Sequence, residues 1–188
     1  MTHSQHLLKD GFTLIEVLVV TSIITIFTTI IAVSIPKQRQ QVTLQKAAHK
    51  LSQDLKEVQV KATATEQIIC EGGGVAKGFG MDFNQNYYDE KVYFYIRFPD
   101  CDNSHDYTPG DVDISQPGKE RVYKNIYLEK ELIYCRLVPD PFSVVFMPPS
   151  PTVTIDGSFE GRVIICLKGD NTKTKTVKIN TSGLIEIE

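Results

Sequence analysis

The apolar positions of this 188-residue chain change period twice, and each change marks a new kind of element. From Phe12 to Ile35 they are almost continuous, FTLIEVLVVTSIITIFTTIIAVSI, with Glu16 the only charged side chain. As a helix rising about 1.5 Å per residue, the run reaches roughly 36 Å, enough to cross a bilayer. Its β-branched residues are poor helix formers in water but acceptable in lipid, where backbone groups must bond internally. Its Thr and Ser hydroxyls bond back to their own helix or across to a neighbour. Pro36 follows at once, and a kink or short break is expected there. Helical spacing then resumes: Leu44, Ala47, Ala48, Leu51, Leu55, Val58 and Ala62 recur every three or four positions, with Gln45, Lys46, Lys50, Gln53, Lys56 and Glu57 largely opposite. This is a single apolar stripe that packs on its own domain.

After Thr65 the period shortens to two. Strands are predicted at 67–70, 75–83, 91–98, 121–128, 132–138, 142–146, 152–155, 161–168, 173–179 and 184–187, rich in Val, Ile, Tyr and Phe. The closing run GRVIICLKGDNTKTKTVKINTSGLIEIE reads as a three-strand meander turning at KGDNT and NTSG. The pattern predicts an α+β fold, a long N-terminal helix, transmembrane and then amphipathic, packed on an antiparallel β-sheet head. The boundaries are 1–11 for a hydrophilic start, 12–35 for the span, 36–64 for a stalk helix and 65–188 for the head.

Glu16 is what an ordinary membrane anchor does not explain. A carboxylate inside a spanning helix costs on the order of 2.5–3.5 kcal/mol at the centre and less near an end, and retained ones usually have a partner. A secretory signal peptide fits no better, because the apolar run is too long and PKQRQQ offers no small-x-small cleavage site.

The stretch KDGFTLIEVLVV resembles the N-terminus of type IV prepilins and of the pseudopilins of type II secretion systems. Gly, Phe, Thr, Leu, Ile and Glu stand in the family's order at the head of a spanning helix. The resemblance implies a leader, Met1–Gly11, cut between Gly11 and Phe12 by a membrane prepilin peptidase that also N-methylates the new terminus at Phe12. It implies a pilin-like architecture, with the second half of the helix embedded in the head. Glu16 then neutralises the terminal amine of a neighbouring subunit in an apolar filament core, where two paired charges cost far less than one alone. The stretch KLSQDLKEVQVKA and the closing Ser-Gly-strand also resemble H-type minor pseudopilins and their FimT-like relatives.

Charge alone argues for the opposite orientation. Lys9 is offset by Asp10, while Lys37, Arg39, Lys46 and Lys50 follow the span and would hold that side in the cytoplasm. Leader cleavage requires the leader inside. The implied placement is therefore single-pass in the cytoplasmic (inner) membrane, with the head outside, and in a surface or periplasmic filament after assembly. Implied partners are other pilin or pseudopilin subunits, the prepilin peptidase/N-methyltransferase, the pilus assembly platform and membrane lipid.

The rest of the chain adds little chemistry. A net charge of −3 with mixed signs makes nucleic acid an unlikely partner. Cys70, Cys101, Cys135 and Cys166 lack metal-knuckle or redox-pair spacing. Disulfides in an oxidising compartment, in any of three connectivities, and free buried thiols both fit them. Asp100, Asp102, Ser104 and Asp106 have the D-x-D-x-S spacing of a calcium loop, but His105 stands where the turn wants Gly and Asp111 where a closing Glu belongs. No cofactor is expected, calcium being the one ion the spacing admits. EGGGVAKGFG lacks a phosphate cradle's Lys-Ser/Thr, and no nucleophile–base order stands out, so the chain reads as no enzyme. The expectation is a structural minor pilin or pseudopilin of a type IV pilus or type II secretion pseudopilus. The alternative is a pilus-tip minor pilin whose head binds a ligand or DNA.

Overall fold

A computed structural model describes residues 12–64, 68–70, 74–86, 88–89, 92–107, 124–148 and 152–188, and within them all side chains except those of 30–37, 88, 89, 92 and 124. The chain divides into two compact units with the break after Gln40. One helix, α1 (Leu14–Thr63), supplies the first unit and opens the second. Its backbone is helical through Pro36, where the sequence suggested a break. A proline lacks only one N–H, and a helix can keep its remaining bonds on either side.

Within the first unit the apolar residues from Leu14 to Phe27 are exposed, Leu14 by 82% and Ile23 by 48%. Among the described residues no helix is long and apolar enough to cross a membrane. The described side chains of this run stop at Thr29 and resume at Gln38.

In the second unit the predicted stripe is the buried one. Leu44, Ala47, Ala48, Leu51, Leu55, Val58 and Ala62 are all at most 6% exposed and join one core with both sheets. Burying a leucine such as Leu51 or Leu55 contributes roughly 1.5–3 kcal/mol. The α+β class is as expected, an N-terminal helix packed on antiparallel sheets.

The strands are β1 (Gly78–Phe83), β2 (Tyr88–Asp89), β3 (Val92–Asp100), β4 (Lys124–Tyr127), β5 (Leu132–Val138), β6 (Phe142–Met147), β7 (Thr152–Ile155), β8 (Glu160–Leu167), β9 (Asp170–Asn180) and β10 (Ile185–Ile187). One sheet runs β2-β3-β1-β6-β7, with β4 also on β3, and the other runs β10-β9-β8-β5. Every strand pairing among the described residues is antiparallel. Strand β1 lies between β3 and β6 and is buried throughout, with Phe79, Met81 and Phe83 alternating with Gly78, Gly80 and a buried Asp82. Gly80 is required there because a Cβ would meet the Phe98 ring at 2.5 Å.

Two expectations need correcting. Among the described residues the strand predicted at 67–70 is reduced to bridge residues at Ile69 and Cys70, Ile69 pairing with Val75 and the Cys70 N–H donating to Gly74 O. The short β2 was not predicted, since its pairing with β3 comes from tertiary contact and not from any run of strand formers. The closing meander is present. Its second turn is held by Asn180, whose Oδ1 accepts from the N–H groups of Ser182 and Leu184 and from the Ser182 hydroxyl, with Gly183 at φ +81°.

Candidate functional site

The site begins where α1 begins. Thr13 stands just outside the helix, and its carbonyl accepts the first helical bond, from Val17 N–H at 3.3 Å. Its hydroxyl oxygen accepts from Glu16 N–H at 3.3 Å. In return Glu16 Oε2 accepts from the Thr13 backbone N–H and from the Thr13 hydroxyl, at 3.0 Å each. Thr13 and Glu16 thus form a capping box that satisfies donors left over at the helix start, with a carboxylate at the positive end of the helix dipole. The signal for it, Thr-x-x-Glu before an apolar run, stands in the sequence and went unread there. Among the described residues only Oε2 of this carboxylate is used. Phe12 is 88% exposed beside it, while Gly11 and the rest of the predicted leader lie outside the described residues.

Along the same helix the hydroxyls are turned inward to backbone carbonyls. Thr21 and Ser22 both donate to Leu18 O, Thr25 to Thr21 O, Thr28 to Ile24 O and Thr29 to Thr25 O, at 2.7–3.0 Å. With their protons used inside the helix, these residues present methyl groups and methylenes outward. The exposed surface from Leu14 to Thr29 is therefore more apolar than its composition suggests.

The cysteines are joined as Cys70–Cys101 and Cys135–Cys166, each with Cα atoms 5.8 Å apart. Cys135 falls at a bulge between Tyr134 and Arg136 in β5, facing β8, so its bridge ties two neighbouring strands of one sheet. Cys70–Cys101 fastens the segment after α1 to the loop that follows β3.

That loop carries the four predicted calcium ligands. Asp100 Oδ1 accepts from Asn103 N–H at 2.8 Å and Asp102 Oδ1 from Ser104 N–H at 2.9 Å. Ser104 donates to the Asp106 carbonyl, and Asp106 Oδ1 accepts from Tyr107 N–H. His105 does adopt the left-handed turn the spacing calls for, at φ +62°. Among the described residues, however, no three acidic, His or Cys side chains gather as a metal-holding set. Asp106 instead turns to the sheet, where the Ser143 hydroxyl lies 2.7 Å from one of its oxygens and 2.7 Å from one of Asp82.

The head is pinned to the stalk by a charged cluster. The Tyr95 hydroxyl donates to Asp54, and Arg97 forks onto Glu57 at 2.6 and 3.1 Å. Burial, followed by the Asp54 bond and charge, pushes the Tyr95 phenol far up. Burial, followed by the charge of Asp82, does the same for Tyr134.

Residues 8–32 match the family model described as the prokaryotic N-terminal methylation motif. This is a prokaryotic N-terminal methylation motif. The resemblance carried by GFTLIEVLVV is thereby borne out, and the capping box falls inside the matched segment. No curated protein matches the chain. Among solved structures the chain is similar to the type IV minor pilin FimU of Pseudomonas aeruginosa strain PAO1, with a TM-score of 0.46 and 15% identity over 77% of this chain and 87% of that one. At that level no residue role passes from one chain to the other.

Proposed function

We propose that this protein is a non-enzymatic structural subunit, a minor pilin or pseudopilin, of a type IV pilus or a type II secretion pseudopilus. The observation that supports it is the prepilin-type segment over residues 8–32 with Glu16 set at the head of an apolar helix. In this reading Met1–Gly11 is a leader removed after Gly11 on the cytoplasmic side by a prepilin peptidase, which methylates the new terminus at Phe12. Residues 12–35 hold the chain in the inner membrane in a single pass with the head, residues 65–188, outside. An assembly platform then draws the helix into a filament among other subunits.

The capping box refines how Glu16 serves. In the free subunit its Oε2 is already satisfied by Thr13, which lowers the cost of keeping a carboxylate at lipid depth. Its other oxygen has capacity to accept the methylated amine of a neighbour's Phe12, since an ionised carboxylate offers about four acceptor positions. Pairing the two charges in the filament core then removes both from isolation without dismantling the helix start.

Two of the three β9 lysines are paired within the head, which gives the DNA-binding alternative little support. Lys173 is paired with Asp170, and Lys178 with Glu160 and Glu188. The test is the mass of the N-terminal peptide from native membranes. A chain starting at methylated Phe12 upholds the proposal, and an intact leader in cells with active prepilin peptidase refutes it. Glu16→Val should still be cleaved but should fail to enter filaments.

A further inference from the structure

A hydroxyl in the head stands between two carboxyl groups and has one proton to give. Ser143 Oγ lies 2.7 Å from Asp82 Oδ1 and 2.7 Å from Asp106 Oδ1. It can donate to one of them only. The other 2.7 Å contact is a hydrogen bond only if that carboxyl brings its own proton.

The surroundings decide which carboxyl that is. Asp82 and Ser143 are paired across β1 and β6 and are 5% and 0% exposed, whereas Asp106 is exposed. Asp106 Oδ1 also receives the Tyr107 N–H at 2.7 Å, which places that oxygen as an acceptor. Strands β1, β6 and β7 hold no basic residue, and Arg97 of β3 turns to Asp54 and Glu57 on α1. Other titratable groups set about the pair are Asp100 ending β3, Asp140 before β6, Asp156 after β7, Tyr134 on β5 and His105 in the loop. Burial and acidic neighbours both favour a neutral Asp82. The bonds then run one way, from the Asp82 carboxyl to Ser143 Oγ and from the Ser143 hydroxyl to Asp106.

What this chain of bonds holds is a loop. By register Asp82, Ser143, Phe98, Val145 and Met147 share one face of the sheet. Residues 101–107 lie on that face through three contacts: Asp106 with Ser143, the Tyr107 ring edge-on to Phe98 at 5.5 Å, and His105 Nε2 with Met147 Sδ at 3.1 Å. The aromatic contact carries no charge, and His105 can donate to Met147 from a neutral or a charged ring. Asp106 is therefore the contact that answers to pH.

We propose that a proton on Asp82 latches the loop of residues 101–107 onto the head, and that the latch releases as pH rises. Once Asp82 ionises, Ser143 faces two carboxylates with one proton, and the exposed Asp106 is the one that can leave. The closed head favours the protonated form, so Asp82 keeps its proton above the ordinary aspartate value of about 3.9. The latch's contribution is complete below that value and is lost as pH climbs through the raised one. That point precedes the alkaline range in which the charge of Asp82 bears on Tyr134. The Cys70–Cys101 bridge holds the far end of the loop, so release uncovers Phe98 and Val145 from the Asp106 end.

The test uses the full-length chain in micelles between about pH 5 and about pH 10. Infrared spectroscopy follows the carbonyl stretch of a protonated carboxyl, and amide exchange at Tyr107, corrected for its intrinsic pH dependence, follows the loop. Wild type should show the band above about pH 6, where ordinary carboxyls are ionised. Losing the band should cost Tyr107 at least about tenfold in protection, the worth of one hydrogen bond to a charged group. Asp82→Asn, whose amide donates to Ser143 without titrating, should lack the band and keep the protection throughout. Asp106→Asn still accepts and should keep the band. The latch is overturned by the absence of an Asp82-dependent band, by a band that persists to the top of the range, or by protection that ignores its loss. A band removed by Asp106→Asn and not by Asp82→Asn puts the proton on the other carboxyl and overturns it as well.

Discussion

Thr13 and Glu16 hold each other at the mouth of α1: the hydroxyl of one receives the amide of the other, and the carboxylate receives two donors in return. Glu16 therefore has a structural task that does not need its charge and an assembly task that does. Thr13→Val keeps the branched shape but removes the hydroxyl. It should cost about 1 kcal/mol of helix-end stability, seen as roughly fivefold faster amide exchange at Val17 in micelles. Glu16→Gln keeps an acceptor oxygen and should leave that exchange near wild type while abolishing filament entry. If Glu16→Gln frays the helix as much as Thr13→Val, the two tasks are not separable.

The stripe from Leu44 to Ala62 was legible because burial on a helix leaves a fixed period in the sequence, and all seven of its residues are in the core. Most strands were legible for the same reason. The misses have a common cause: β2 and the bridge at Ile69 are defined by a partner strand, which local pattern does not record. The capping box was legible and overlooked, because Glu16 drew attention as a charge in an apolar run and not as the fourth residue of Thr-Leu-Ile-Glu. The acidic loop was legible as a loop only. Whether its oxygens face an ion or their own backbone depends on the fold of neighbouring segments, and Asp106 turning to Ser143 could not be read from spacing.

The stalk cluster gives a ranked pair of stability effects. Tyr95 is 1% exposed and donates to a carboxylate, a bond worth about 1.5–3 kcal/mol, so Tyr95→Phe should remove most of that. Arg97 forks onto a half-exposed Glu57, an exposed pair that contributes about 0.2–1 kcal/mol, and its longer 3.8 Å contact with Asp54 is one that a lysine's charge can keep. Arg97→Lys loses the fork and should cost no more than this. For a domain of this size each kcal/mol moves Tm by about 2–4 °C. Thermal unfolding followed by near-ultraviolet circular dichroism should therefore place Tyr95→Phe clearly below Arg97→Lys, and the reverse order would mean the arginine carries the junction.

Each disulfide spans a sequence separation of 31, so loop closure alone gives both the same stabilisation, roughly 3–4 kcal/mol. They differ in what surrounds them. Cys166 and Cys70 are both buried, but the Cys135–Cys166 pair ties two strands inside one sheet. Cys70–Cys101 sits between a bridge and a loop. Peptide mapping without reduction should recover these two pairs and no crossed ones. Under graded reductant Cys70–Cys101 should open first, and prior opening of Cys135–Cys166 would show that the sheet does not shield it.

Tyr95 and Tyr134 should stand apart from the other tyrosines at alkaline pH. Burial is the larger cause for both, joined by the Asp54 bond at Tyr95 and by the Asp82 charge at Tyr134, and all of these oppose a phenolate. Both groups are thus held above the ordinary value of about 10. A phenol whose pKa rises on folding stays neutral in the native state where the unfolded chain has begun to ionise. Its stabilising contribution is complete below about pH 10 and is lost as pH climbs from there toward the folded value. Of the eight tyrosines, these two should be missing from the phenolate absorbance until the head unfolds, and denaturant midpoints should begin to fall above about pH 10. Tyr134→Phe should leave one late phenol in place of two. Eight phenolates appearing together near pH 10 with native circular dichroism intact would mean that neither ring is packed as the structure shows.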